Sequence, residues 1–473
     1  MRFSFLAVLL FAALAQAKWE SCSKWWPKIK PGDHFTVNAQ CKLFPGYPKT
    51  FGSTTVTVTY TKNWGRAGVK GAEVAPVLHK ALDKSIDYYS SLANLPSDIV
   101  IILTVAVDGT TFADTFYPSA KKPPCQIKTY KRWTTDAAGQ NVPRALQALA
   151  HELYHCVQGY HKLGTSKEPL WVLEGSANYF SNRVFPTSNV EWPGPDRHYH
   201  PSLPIYAHAG NDVYTTSLYF QALEVSRGPE YLNDWVLATP PTPDKEERTR
   251  LSHLTDFGDD FFIFAQKLAR EHIRDTSGSL VKGLPKINPE AVPISFDKAG
   301  TTSTATLRTV PFTVTVFKLS FKAGQTVIFY SSANDDQRVA YREPDDDVWT
   351  PMPTSLSSHG QVEQPCNANN KDASKSILVL FISTADAHSD MVKITVKRKH
   401  VHKCHAPGGF VHYPLKNPDT AGGKCPHGTH ISKTAAWCCP DGMELDEAVA
   451  STISICCPTC KLHISGVSDA VAY

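Results

Sequence analysis

The 473-residue chain has no excess of charge: 48 Lys and Arg stand against 44 Asp and Glu, a formal net charge of +4. So even a balance leaves no basic footprint for DNA or RNA, and no nucleic-acid partner is expected. After the N-terminus no apolar run approaches membrane length, and the C-terminus is not an apolar anchor tail, so no membrane span is expected. The sequence has no Asn-x-Ser/Thr sequon, no internal repeat and no low-complexity tract, which leaves N-glycosylation and repeat architectures aside.

What remains is ordinary globular composition, 42% hydrophobic and 19% charged, with room for roughly two to four domains. The N-terminus combines Arg2, an apolar run from Phe5 to Leu14 that is too short to span a bilayer, and the small-x-small triplet Ala15-Gln16-Ala17. This pattern predicts a signal peptide over residues 1–17 and a secreted, extracellular mature protein. The 12 cysteines are even in number, and in a secreted chain disulfides are the expected use. Their connectivity does not follow from spacing, although Cys22 and Cys41 are natural partners.

The fold class expected is multidomain. Residues 18–285 mix strand and helix patterns. Ser53–Thr61 alternates Val and Thr as a strand does, Val74–Leu92 has helical periodicity, and Asp98–Val107 is a continuous β-branched run that reads as a central strand. Cys125–Trp133 alternates and carries three basic residues, which suits an edge strand. Helices are expected over Leu170–Arg183, Asp212–Val225, Pro229–Ala238 and Asp259–Ile273. Strands first and helices after make an α+β domain. The Gly-, Pro- and Ser-rich segment Asp275–Pro293 reads as a linker. Residues 290–402 then alternate at period two between turn clusters, as an all-β sandwich does. Residues 404–473 are cysteine-dense and small, a disulfide-rich module with too little core to fold unaided.

Chemistry concentrates in "ALAHELYHCVQGY", Ala148–Tyr160. Asn141 is placed as a helix N-cap, with Pro143 in the first turn. At 100° per residue, Leu146, Leu149, Ala150 and Leu153 form one stripe, while His151 and His155 lie opposite, one turn apart. Imidazoles at i and i+4 reach one ion. Glu152 sits beside them, free to take a proton from a metal-bound water. Eighteen residues separate His155 from Glu174 in "PLWVLEGSANYF", and Gly159, Gly164 and Pro169 allow the chain to reverse between them.

His151-Glu152-x-x-His155, followed by Trp171-x-x-Glu174-Gly175-x-Ala177-x-Tyr179 with eighteen residues between His155 and Glu174, resembles the gluzincin metallopeptidases, and the separation equals that of their aminopeptidase branch. The resemblance covers about residues 50–275 and implies a zincin-like catalytic domain that binds Zn2+. It assigns His151, His155 and Glu174 as ligands and Glu152 as general base and later acid, with Ala177 allowing close helix approach. Asn178, one turn beyond Glu174, either orients a ligand histidine or is an exposed helix position. Tyr214-x-x-Ser217-x-x-Phe220 resembles the third helix of the wider peptidase group, where the Tyr stabilises the oxyanion; Tyr206 and His208 compete for that role, and a buried structural Tyr214 is the plain alternative. The Gly-x-Met-Glu-Asn segment that holds a substrate amino terminus in the aminopeptidase branch is missing. The expected activity is therefore an endopeptidase acting on polypeptide, with Cys125–Trp133 as the strand that pairs with substrate. A secreted zinc scaffold that binds protein or polysaccharide without turnover is the rival.

Cys156 admits three readings: a disulfide to Cys125, a buried free thiol, or a site where Cys125 caps the zinc in a latent form. His198, His200 and His208 form a loose cluster expected at the surface. His402, His405, His412, His427 and His430 lie among the C-terminal cysteines, where disulfides have the stronger claim on the thiols. The acidic run Glu343–Trp349 lacks spaced calcium ligands. The two C-terminal modules carry no catalytic pattern; their expected use is substrate, cell-wall or polysaccharide attachment, or simple stabilisation outside the cell.

Overall fold

The structure is a computed structural model. It describes residues 19–25, 39–66, 71–106, 111–116, 124–161, 169–194, 197–240, 242–296, 301–322, 325–355, 360–363 and 374–401, with short strands at 429–431, 438–440, 444–445 and 456–457. The chain forms two compact units, Met1–Pro365 with Asp372–His402, and Cys366–Lys371 with Lys403–Tyr473. The signal-peptide segment, the pairing of the C-terminal cysteines and His402, His405, His412 and His427 lie outside the described residues.

The first unit opens with a mixed sheet. Its strands are β1 (Glu20–Ser21), β2 (Gln40–Leu43), β3 (Lys49–Phe51), β4 (Thr54–Thr61), β5 (Asp98–Leu103), β6 (Ala113–Phe116) and β7 (Cys125–Thr129). They run in the order β1-β2-β4-β5-β7-β6, with β3 on β4. β4, β5 and β7 are parallel, and β6 closes the edge antiparallel to β7. The sheet core follows from composition: Ile99 to Leu103 of β5 is a β-branched run buried on both faces. Helix α1 (Gly71–Leu92) lays Val74, Leu78, Ala81, Leu82 and Tyr89 into this core, and the Tyr89 hydroxyl donates to the Ala150 carbonyl at 2.9 Å.

Helices α2 (Val142–Tyr160), α3 (Leu170–Val184), α4 (Ser217–Ala238), α5 (Asp244–Ser252) and α6 (Phe257–Leu268) follow. Asn141 caps α2 through a side-chain oxygen that accepts from Arg144 N at 3.2 Å, with Pro143 in the first turn. The two expected helices meet within α4 at Gly228, whose φ of 78° and ψ of 159° are not helical and are open chiefly to glycine, and Pro229 begins the second segment. Asp212 belongs instead to a 3-10 turn over Gly210–Thr216.

Residues 290–401 form two facing sheets. One takes the order β13-β12-β15-β10-β8, from β8 (Glu290–Pro293), β10 (Thr315–Lys322), β12 (Gln337–Arg342), β13 (Thr350–Pro351) and β15 (Ser374–Ser383). The other is β14-β11-β16-β9, from β9 (Thr302–Thr309), β11 (Gln325–Ser331), β14 (Gly360–Glu363) and β16 (Asp390–Val401). The end of the expected linker is thus a strand, Glu290–Pro293, parallel to β10. Alternate residues Ile377, Val379 and Phe381 of β15 fill the space between the sheets, whereas Leu380 and Ile382 join the α+β core, where Phe257 and Phe261 of α6 also lie. This two-sided burial explains the unbroken apolar run of β15. Each such side chain contributes about 1.5–3 kcal/mol relative to exposure. Arg338 to Asp259 at 2.8 Å and Arg248 to Asp386 at 2.7 Å add polar ties across the seam.

Two disulfides join Cys22 to Cys41 and Cys125 to Cys156. The second settles the three readings of Cys156 in favour of a bridge between β7 and α2. The edge-strand assignment of Cys125–Trp133 is corrected. β7 lies between β5 and β6 with every residue buried, and the chain turns helical at Lys131. Its basic residues misled because Lys128 is buried with its ammonium over the Tyr130 ring at 4.8 Å; an amphipathic side chain mimicked exposure. The edge is β6. Among the described residues no helix is long and apolar enough to cross a membrane.

Candidate metal centre and catalytic cleft

Helices α2 and α3 pack against each other so that the face of α2 opposite its apolar stripe meets the start of α3. His151 Nε2 and His155 Nε2 stand 2.9 Å apart, and Glu174 Oε2 lies 3.2 Å from the first and 3.5 Å from the second. Among the described residues these three form a group whose ligand atoms all fall within 4.8 Å of one another. The acidic run Glu343–Trp349 assembles no such group among the described residues.

The other ring nitrogen of each histidine is fixed. His151 Nδ1 faces Asn178 Oδ1 at 2.9 Å, and the Asn178 amide nitrogen donates to the Tyr214 carbonyl at 3.0 Å. His155 Nδ1 faces Gln158 Oε1 at 2.6 Å, and Gln158 Nε2 donates to Leu173 O at 3.0 Å and Ser176 Oγ at 2.9 Å. These bonds orient both carboxamides, so each Nδ1 is a donor and each Nε2 turns toward Glu174. Two imidazole nitrogens and a carboxylate converging in a buried place form a ligand set for a cation, and two histidines with one carboxylate suit zinc. Burial disfavours the charged form of His155, yet the Glu174 carboxylate outweighs it and raises the imidazole to about 9. For Glu174, burial acts upward, but His155 and His151 hold the carboxyl well below its usual range. The same attraction would hold a divalent ion.

Glu152 points into the same cleft. Burial raises its carboxyl, with the two imidazoles pulling the other way. The Thr115 hydroxyl, on edge strand β6, lies 2.6 Å from Glu152 Oε2 and 3.0 Å from the Glu152 carbonyl, and donates to them. Tyr214 stands across from His151, ring centroids 5.9 Å apart. The negative charge of Glu174, then burial, raises its phenol, so the hydroxyl stays protonated and able to donate. The cleft is lined by Phe112 and Ala113 at the start of β6 and by His151, Glu152, Arg197 and Tyr214, and is open to solvent.

Gly175 sets how closely Tyr214 approaches. A Cβ there would collide with the Thr216 side chain and stand 3.1 Å from Ser217 N, so only glycine lets α3 touch the turn that carries Tyr214. Ala177, the small residue noted in the sequence, is fully buried. The competitors lie elsewhere: Tyr206 packs on Phe312 with centroids 5.6 Å apart, and His208 is buried and stacked on Tyr199 at 4.6 Å. His208 thus departs from its expected surface position, while His200 faces Asp212 at 3.3 Å. Sequence reasoning missed Gln158, Thr115 and Arg197. Only Gln158 left a signal, at i+3 from His155 on the helix.

No protein-family model and no curated protein matches the sequence. Among solved structures, aminopeptidase A of Legionella pneumophila, in complex with aspartic acid, has a TM-score of 0.30 at 10% identity, over 75% of this chain and 37% of that one. An aminopeptidase N family protein from Idiomarina loihiensis gives 0.30 at 10% identity, over 77% and 69%. A mutant of PliG-Ec, a periplasmic inhibitor of g-type lysozyme from Escherichia coli, gives 0.18 at 12% identity, over 24% of this chain and 100% of that one. Likeness of this degree carries no argument about fold or function.

Proposed function

We propose that the chain is a secreted zinc-dependent metallopeptidase, an endopeptidase acting on polypeptide. The observation that carries this reading is the convergence of His151, His155 and Glu174 from two helices, with the carboxyl of Glu152 in the same cleft. These three side chains would hold the zinc, which when bound would supply a water of lowered pKa and a positive charge for the developing oxyanion. Glu152 receives the proton of the attacking water and passes it to the leaving amine, and burial raises its carboxyl. Thr115 fixes the rotamer of Glu152 by occupying one of its oxygens. The Tyr214 hydroxyl donates to the oxyanion. Asn178 and Gln158 keep the two imidazoles oriented. Edge strand β6, at the cleft wall, would pair with an extended substrate.

The test is digestion of a peptide mixture by the purified mature protein, with and without a chelator, beside elemental analysis. About one zinc per chain is expected, with internal cleavages that stop on chelation. Glu152→Gln should keep the zinc and lose turnover by about 10²–10⁴-fold. Folded protein without zinc, or undiminished turnover in Glu152→Gln, would overturn the reading.

A further inference from the structure

Arg197 enters the cleft from the segment between α3 and the Gly210–Thr216 turn, and neither ligation nor proton transfer uses it. Its Nη1 donates to the Val190 carbonyl at 2.9 Å, and its guanidinium lies over the Tyr214 ring with Cζ 4.8 Å from the centroid. These contacts hold the planar group in place. They leave Nε and Nη2 without a partner among the described residues.

Other partly buried arginines of this region are neutralised. Arg144 binds Asp136 through two nitrogens at 2.6 and 2.9 Å, Arg183 pairs with Glu224, Arg227 with Asp260, and Arg250 with Glu247. Arg197 has no carboxylate within ion-pair distance among the described residues. A second guanidinium stands nearby: Arg132 is placed over Phe112, 4.2 Å from its ring centroid, and it repels Arg197. Burial and Arg132 together lower the Arg197 pKa. A partly desolvated guanidinium without an ion pair is costly, and its fork of donors fits a carboxylate edge-on.

Position narrows the ligand. Tyr214 stands between Arg197 and His151, so the guanidinium lies within about three residues of extended chain from the metal-ligating histidine. We propose that Arg197 recognises a carboxylate of the substrate, either an Asp or Glu side chain or the free C-terminus, within three residues of the scissile bond. This assignment rests on the peptidase reading above and adds a substrate class to it.

The experiment compares matched peptides with the zinc-loaded full-length protein. Asp and Asn, and Glu and Gln, are exchanged at each of three positions on both sides of the cleaved bond, and a free C-terminus is exchanged for its amide. One such pair should differ at least tenfold in kcat/KM, chiefly in KM, in favour of the acid. The pair that responds tells side chain from terminus. In Arg197→Gln the ratio within that pair should fall to near one, and Arg197→Lys should restore part of it, with unfolding midpoint and zinc content as controls. Wild-type protein with no preference in any pair overturns the assignment, whether or not the variants fold, and so does a preference that survives in folded Arg197→Gln. If no peptide is cleaved, the peptidase reading fails by itself. Arg197 is then judged by calorimetry of the same acid and amide peptides on Glu152→Gln protein, where equal affinities overturn its role and a tenfold preference sustains it.

Discussion

Behind the cleft and between the sandwich sheets, the same chain builds its interior in opposite ways. Around α2 the interior holds Gln147, His151, Glu152, His155, Gln158, Asn178 and Glu191, none more than 8% exposed. Asn178, Gln158, Thr115 and Gln147 bind them to one another. Between the sandwich sheets the enclosed side chains are apolar, with Leu307, Phe329, Val379, Phe381 and Ile394 at 0% exposure. A polar interior is tolerable only when its members are satisfied, whereas an apolar one adds stability with every side chain. The first interior is shaped by what it must hold in place, the second by how well it packs.

Substitutions on each side should therefore separate stability from turnover. Phe381→Ala should cost about 3–5 kcal/mol in urea unfolding and leave turnover per folded molecule unchanged; turnover lost at full folding would erase the contrast. Glu191 comes next. Burial pushes its carboxyl from 4.5 up to about 7, although the Gln147 and Gln221 amides donate to it. Below the unfolded value the group is neutral in both states, and above the folded value its buried charge opposes folding. Stability should fall as pH rises from 4.5 to 7, by at most about 3 kcal/mol. Glu191→Gln should flatten that part of the profile in a series of melting curves, and an unaltered slope would show that another group sets it. Tyr214→Phe should lower kcat about a hundredfold with stability little changed; a change under about twofold would assign the oxyanion to another donor. The smallest effect is expected for Asn178→Ala, a loss of about 10–100-fold in zinc affinity, read by competition with a chromogenic chelator. Equal affinity would mean that His151 needs no orienting partner.

The contrast also explains what the sequence made legible. The histidines and Glu174 were visible because ligand spacing on helices is periodic and their elements are bounded by clear signals, Asn141 at the start of α2 and Pro169 ahead of α3. Strands β4 and β5 and the sandwich were visible through alternation and β-branched runs. Thr115 and Arg197 were not, because each reaches the cleft only through tertiary placement, one from an edge strand and the other from an irregular segment. The true edge was hidden because β6 is four residues long and its partner β7 carries the misleading lysine. Gly228 and Pro229 made the break within α4 legible, since Gly-Pro ordinarily ends a helix.

The Cys125–Cys156 bond places a covalent link between the central sheet and the residue next to His155, across a sequence separation of 31. Closing a loop of that size removes about 3–4 kcal/mol of freedom from the unfolded chain. Its consequence is one of timing. A newly made chain whose thiols are still reduced lacks this restraint, so the domain that carries both histidines folds with that much less stability until the bond forms.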